Sequence, residues 1–135
     1  MPLLLDTGVL YALTDRDDAW HQRCADLLEE TREPLLVPIT VVPEAVYLIH
    51  TRLGPAAEAQ FIRSIAEREL NVQMLDDADW RRTVELMVKY PAIGFVDASV
   101  ITMAERLRLT AIATTDRRHF SSVRPKHRAS FELLP

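Results

Sequence analysis

Cysteine occurs once in this chain of 135 residues, at Cys24. A single thiol excludes an internal disulfide framework and a cysteine-built zinc site, and it suits the cytoplasm. No apolar stretch approaches the length of a membrane span. The start, Met1-Pro2-Leu3-Leu4-Leu5-Asp6, has no basic leader segment and reaches an acid too early for a secretory signal. No His-Glu-x-x-His spacing joins His21, His50, His119 and His127, so all four are expected at the surface or in packing. Of these, His119 adjoins an acid, Asp116. Positive charge is not in excess: 16 Lys and Arg stand against 20 Asp and Glu, a net charge of −4. That argues against a chain that coats a polyanion, although local charge distribution matters more than the sum. Repeats, low-complexity tracts and linkers are missing too, so residues 1–135 read as one domain with a real core.

Against these absences, four acids sit at the edges of apolar runs. Asp6 ends Leu3-Leu4-Leu5-Asp6, and Glu44 lies in Val41-Val42-Pro43-Glu44-Ala45-Val46. Asp97 follows Phe95-Val96, and Asp116 closes Ile112-Ala113-Thr114-Thr115-Asp116. A carboxylate beside core residues loses hydration unless its charge is compensated. Four such acids from distant segments are explained together if they converge on a divalent cation. That arrangement points to metal-assisted chemistry on a phosphate ester.

The rest of the pattern is α/β. Short buried runs at Leu3–Leu5, Leu35–Val37 and Ala111–Thr114 read as strands of a mainly parallel sheet. Leu70, Val72 and Met74 alternate as in a half-buried strand, and Phe131–Leu134 suits an edge strand. Helices are expected from Thr7, after a cap at Asp17 or Asp18, after Thr40, over Ala56–Arg68, after Asp76 and from Asp97. Cys24, between Trp20 and Leu27-Leu28 at helical spacing, reads as a small core residue. Trp20 and Trp80 are expected in the core or in a dimer seam. Asp15, Asp17, Asp18, Asp76, Asp77 and Asp79 read as solvated caps. Ligand crevices of such sheets lie beyond the carboxyl ends of the strands. If the strands before Asp6 and Asp116 are parallel neighbours, the two acids meet on one rim.

These residues resemble the PIN-domain ribonucleases, specifically the VapC toxins of VapBC toxin–antitoxin systems. The matching segments are Leu4-Leu5-Asp6-Thr7, Trp20-His21, Val42-Pro43-Glu44, Gly94-Phe95-Val96-Asp97-Ala98-Ser99 and Thr114-Thr115-Asp116-Arg117-Arg118-His119-Phe120. They span essentially the whole chain, in order. The resemblance implies an α/β/α sandwich about a central, mainly parallel sheet of about five short strands. It implies endonucleolytic RNA cleavage dependent on Mg2+ or Mn2+, with Asp6, Glu44, Asp97 and Asp116 as the acidic, metal-binding site. It further implies a homodimer held by helices, and a cognate VapB-like antitoxin whose C-terminal segment occupies a groove. Where some relatives carry a further acid close behind the last aspartate, this chain has Arg117-Arg118.

Physical chemistry agrees with that site. Mg2+ takes oxygen ligands and keeps several waters, so a few carboxylates suffice. Asp6 and Asp97 are the strongest direct-ligand candidates, Asp116 completes the set, and Glu44 ligates a second ion or orients the attacking water. Thr115 and Ser99 are candidates for hydrogen bonds that hold carboxylate or phosphate. Arg117, Arg118 and Arg124, with Lys126 and Arg128 near them, could form a phosphate track for RNA. Each acid alone has a plainer reading as a helix cap or turn residue. A receiver domain would need paired acids after the first strand and a lysine after a late one, but Thr7-Gly8 follows Asp6. A haloacid-dehalogenase-type phosphatase would need an acid where Gly8 stands. A non-catalytic PIN-like binding module is the remaining alternative.

Overall fold

The computed structural model describes residues 1–135. Five parallel strands form one sheet in the order β3-β2-β1-β4-β5: β1 (Leu3–Leu5), β2 (Leu35–Pro38), β3 (Asn71–Gln73), β4 (Ala111–Ala113) and β5 (Glu132–Leu134). The helices are α1 (Thr7–Thr14), α2 (His21–Glu30), α3 (Val41–Leu53), α4 (Pro55–Ala66), α5 (Asp77–Lys89), α6 (Phe95–Arg106) and α7 (Arg117–Ser121). No helix is long and apolar enough to cross a membrane. The expected α/β class with a central parallel sheet is what the chain adopts.

The sheet is built outward from β1. Leu3, Leu4 and Leu5 are all buried, as a central parallel strand covered on both faces requires. Leu4 pairs with Leu36 on one side and Ile112 on the other. The chain lays β2 and β3 to one side of β1, then crosses back to lay β4 and β5 on the other. The reversal falls between β1 and β4, where parallel sheets open a crevice. Asp6 follows β1 directly, and its backbone N–H donates to the Ala113 carbonyl at 2.9 Å. The two strand ends before Asp6 and Asp116 are therefore neighbours, as expected.

Local chemistry sets most boundaries. Gly54, at φ +92°, ends α3 and lets α4 start on Pro55, whose missing N–H is harmless in a first turn. β2 runs one residue further than expected, through Pro38. This is tolerated because β1 pairs with β2 only as far as Leu36, leaving no ladder bond on that side for Pro38 to donate. Trp20 precedes α2 instead of lying on its face, with its N–H bound to Asp18 Oδ1 at 2.8 Å. Cys24 is fully buried, as expected.

The α5–α6 contact departs from the sequence expectation. Leu86 is buried, but Trp80 is 50% exposed, and Val84, Met87 and Val88 also face outward. The buried face of α5 is instead partly polar. Asp79, expected as a solvated cap, is only 3% exposed. It completes a capping box with Asp76 and accepts Arg106 Nε at 3.1 and 2.9 Å. One turn on, Thr83 meets Thr102 at 3.1 Å. Removing Asp79 takes from Arg106 its nearest carboxylate and from the capping box one of its two bonds. Asp79→Ala is expected to lower the unfolding free energy by roughly 3 kcal/mol, against about 1 kcal/mol for Asp76→Ala. Urea unfolding of both variants checks this, and equal losses would refute the buried-pair account.

Candidate metal centre

Four helices begin at one end of the sheet, and each brings an acid. Asp6 is the residue before α1, Glu44 lies in the first turn of α3, Asp97 lies in the first turn of α6, and Asp116 precedes α7. Helix N-termini present unpaired N–H groups and partial positive charge, which favours carboxylates there. Capping explains only one of the four completely. Asp116 Oδ1 accepts the His119 N–H at 3.2 Å. The Asp6 carboxylate makes no capping bond, and α6 is capped by Gly94, so Asp97 is free for other work.

Asp6 is the most deeply set of the acids, only 4% exposed. Its Oδ2 accepts the Thr114 hydroxyl at 3.0 Å, while Oδ1 is buried with no protein partner. Burial pushes its pKa up to about 7; the Thr7 amide and the Thr114 hydroxyl oppose that, and the charges of Asp97 and Glu44 add to it. Asp97 is also raised, chiefly by burial. The ring of His119 lowers it, and the charges of Asp116 and Glu44 raise it. Asp97 is thus the electrostatic hub: it acts on Asp6, and Asp116 and Glu44 act on it. Glu44 is exposed at the rim.

The supporting residues partly differ from those singled out by sequence. Thr114, not Thr115, holds Asp6, and the same hydroxyl oxygen accepts the Asp116 N–H at 2.9 Å. Thr115 instead packs its hydroxyl against Gly8 so closely that a Cβ at position 8 would lie 2.1 Å from it. Gly8 therefore lets α1 start flush against the segment that carries Asp116. Ser99 is buried and touches no carboxylate. Its hydroxyl donates to the Val96 carbonyl at 2.6 Å, which leaves Thr40 as the donor in their 2.6 Å contact. That bond joins the starts of α3 and α6, and so the helices carrying Glu44 and Asp97. Thr114 was the detectable omission: it is a hydroxyl at the end of a buried strand, beside the acid-bearing end of β1.

His119 also belongs here. Its Nδ1 lies 3.0 Å from Asp97 Oδ2 and 2.9 Å from Asp116 Oδ2. Asp97, Asp116 and His119 each offer a ligand atom within 4.8 Å of the others, a spread that one ion can bridge. Asp6 and Glu44 fall outside that group of ligand atoms; the two carboxylates and one imidazole inside it are a donor set that fits a divalent cation. Arg117 and Arg118 on α7, and Arg124 beyond it, are exposed. Arg117 donates to the Pro135 carbonyl, and the Arg124 backbone N–H donates to Tyr90 Oη at 3.3 Å.

Comparison with known proteins adds three findings. A family model described as PIN domain matches residues 3–125. Ribonuclease VapC26 of Mycobacterium tuberculosis (strain ATCC 25618 / H37Rv) is 31% identical over 135 residues, 98% of this chain and 100% of that one. Among solved structures, Mycobacterium tuberculosis VapC20, described as a Sarcin-Ricin loop cleaving toxin, superposes with a TM-score of 0.85 at 18% identity, covering 98% of this chain and 99% of that one. VapBC2 from Rickettsia felis, bound to a promoter DNA fragment, gives 0.74 at 14% identity with 100% of both chains covered. At such identities the structural likeness speaks for the fold.

The Asp6 environment has a direct consequence for stability in metal-free protein. A folded-state pKa of about 7, against an ordinary 3.8, means that the folded chain holds this proton more tightly than the unfolded chain. The resulting stability is complete below the unfolded value and is lost as pH rises from about 4 to about 7. Asp6→Asn is expected to stabilise the metal-free chain by a few kcal/mol at pH 8 and hardly at all at pH 4. Chemical denaturation in chelator at the two pH values tests this; the same shift at both would show that Asp6 ionises normally.

Proposed function

The chain belongs to the PIN-domain family, and we propose that it is a Mg2+- or Mn2+-dependent endoribonuclease, the VapC toxin of a toxin–antitoxin pair. The observation that carries the reading is the grouping of Asp97, Asp116 and His119 within reach of one ion, supported by the charge of Asp97 acting on Asp6, the charge of Glu44 acting on both, and a buried Asp6 oxygen left without a protein partner. A cation held there supplies positive charge opposite the scissile phosphate and an acidified water. The chain's own residues do the rest. Asp97 and Asp116 would hold the ion, with the buried Asp6 carboxylate as a further charge for it. Glu44, exposed at the rim, would orient a water and accept its proton. Thr114 fixes Asp6 against β4, and the Thr40–Ser99 pair fixes the start of α3 relative to α6. Arg117, Arg118 and Arg124 bind RNA phosphates beside the acids.

One catalytic domain occupies the chain in this reading, and the lone buried Cys24 suits a reducing cytoplasm. A non-catalytic binding module remains the rival, but it gives no reason to bury an unpartnered carboxylate oxygen at a cost of a kcal/mol or more. With Mn2+ or Mg2+ present, the protein is expected to cut RNA endonucleolytically, to lose that activity in EDTA, and to recover it when metal is restored. Asp97→Asn should reduce the rate by more than about 100-fold while the fold remains. Undiminished cleavage in chelator, or by Asp97→Asn, would refute the metal mechanism; a cognate VapB-like antitoxin should block the reaction.

Two surfaces suit the proposed partners. A groove of about 580 Å3 between α1, α2 and α4, lined by Leu10, Leu13, Leu28, Ala57, Phe61 and Leu70 among others, suits an apolar antitoxin segment. The outward stripe of α5 suits a second copy of the chain: Trp80 stacks on Phe95 at 5.6 Å, with Val84, Met87 and Val88 exposed beside them. Val88→Asp is expected to shift a homodimer toward monomer in sedimentation velocity without changing the circular dichroism. An unchanged sedimentation coefficient would move the dimer seam elsewhere.

A further inference from the structure

Three of the four histidines are engaged away from the acids. His21 Nδ1 meets the Ala12 carbonyl at 2.7 Å, His50 meets Glu58, and His127 Nε2 meets the Leu109 carbonyl at 2.7 Å. His119 alone enters the acidic rim. Two independent features fix it there. It sits three residues after Asp116 on the first turn of α7, and its backbone N–H is bound to Asp116 Oδ1 at 3.2 Å, which leaves Oδ2 facing the ring. The same ring nitrogen is 3.0 Å from Asp97, which is carried by another helix.

Nδ1 carries at most one hydrogen, so without an ion it can serve both carboxylates only by sharing that hydrogen in a three-centre bond. It lies between two carboxylate oxygens at the separation of a ligand cluster. We propose that His119 Nδ1 is a direct nitrogen ligand of the divalent cation held by Asp97 and Asp116, and that this nitrogen tilts the site toward Mn2+ over Mg2+. The inference rests on the metal-dependent reading of the same site and deepens it.

The chemistry follows from donor type. Mg2+ is hard and prefers an all-oxygen shell, whereas imidazole binds first-row transition ions more strongly, from Mn2+ upward through the series. In the ligating tautomer the hydrogen is on Nε2 and the Nδ1 lone pair faces the ion. The tether from the His119 N–H to Asp116 keeps the ring beside its co-ligand, so little reorganisation is needed.

The test is Mn2+ added to the full chain and read by electron paramagnetic resonance. Echo-detected spectra of the bound ion should show the modulation of a directly coordinated 14N. His119→Ala should abolish that modulation and weaken Mn2+ binding by roughly tenfold or more, with Mg2+ binding changed far less. His119→Asp, which restores an oxygen donor, should invert the preference in Mg2+/Mn2+ competition. The parent spectrum decides the matter even if a variant fails to fold. Mn2+ that binds at a site lost in Asp97→Asn, yet shows no 14N modulation, overturns the histidine ligand and leaves the nuclease reading standing. If no Mn2+ binds at all, both fall.

Discussion

Carboxylates crowded into a partly buried space repel one another and lose hydration, and the architecture of this chain is organised around containing that cost. The acids stand at helix N-termini, where unpaired N–H groups and the helix dipole favour negative charge. Their approach directions come from a sheet whose reversal lies between β1 and β4. Thr114 is the joint between the two strands: its hydroxyl donates to Asp6 and its oxygen accepts from the Asp116 backbone. A residual imbalance persists in Asp6 Oδ1, and a bound cation is the natural counterpart to it.

The surroundings convert that electrostatic problem into a fixed geometry. Gly8 allows α1 to approach the segment carrying Asp116, since a side chain there would collide with Thr115. Thr40 and Ser99 bind the starts of α3 and α6 to each other. The polar seam between α5 and α6, with Asp79 against Arg106 and Thr83 against Thr102, holds α6 from behind. Each contact lies outside the acidic cluster, yet each sets where one acid can stand. Such support separates a cluster of acids from a site with a defined ligand geometry.

Much of this was legible in the sequence. Leu3–Leu5 and Ala111–Ala113 read as buried parallel strands because they hold no polar residue, and the acids that follow marked their carboxyl ends. The part that escaped was what depends on tertiary partners. Trp80, Val84, Met87 and Val88 make the more apolar stripe of α5, yet the chain buries the stripe with Asp79 and Thr83, because α6 offers Arg106 and Thr102 opposite them. Hydrophobic periodicity finds stripes but not their partners. Thr114 and Thr115 are adjacent hydroxyls on a strand end, and only the register of β4 against β1 decides which one reaches Asp6. His119 showed only its nearness to Asp116 in sequence, because its other acidic neighbour, Asp97, comes from a different helix.

The position of β1 also bears on synthesis. Leu4 of β1 pairs with Ile112 of β4, far along the sequence, and β4 in turn is flanked by β5. Pairings between such distant segments form late, because the intervening chain must first be brought together. A nascent chain therefore carries Asp6 without the strand that leads to Asp116 until β4 has been translated. The acidic site thus stays incomplete until β4 and the segment that follows it have emerged.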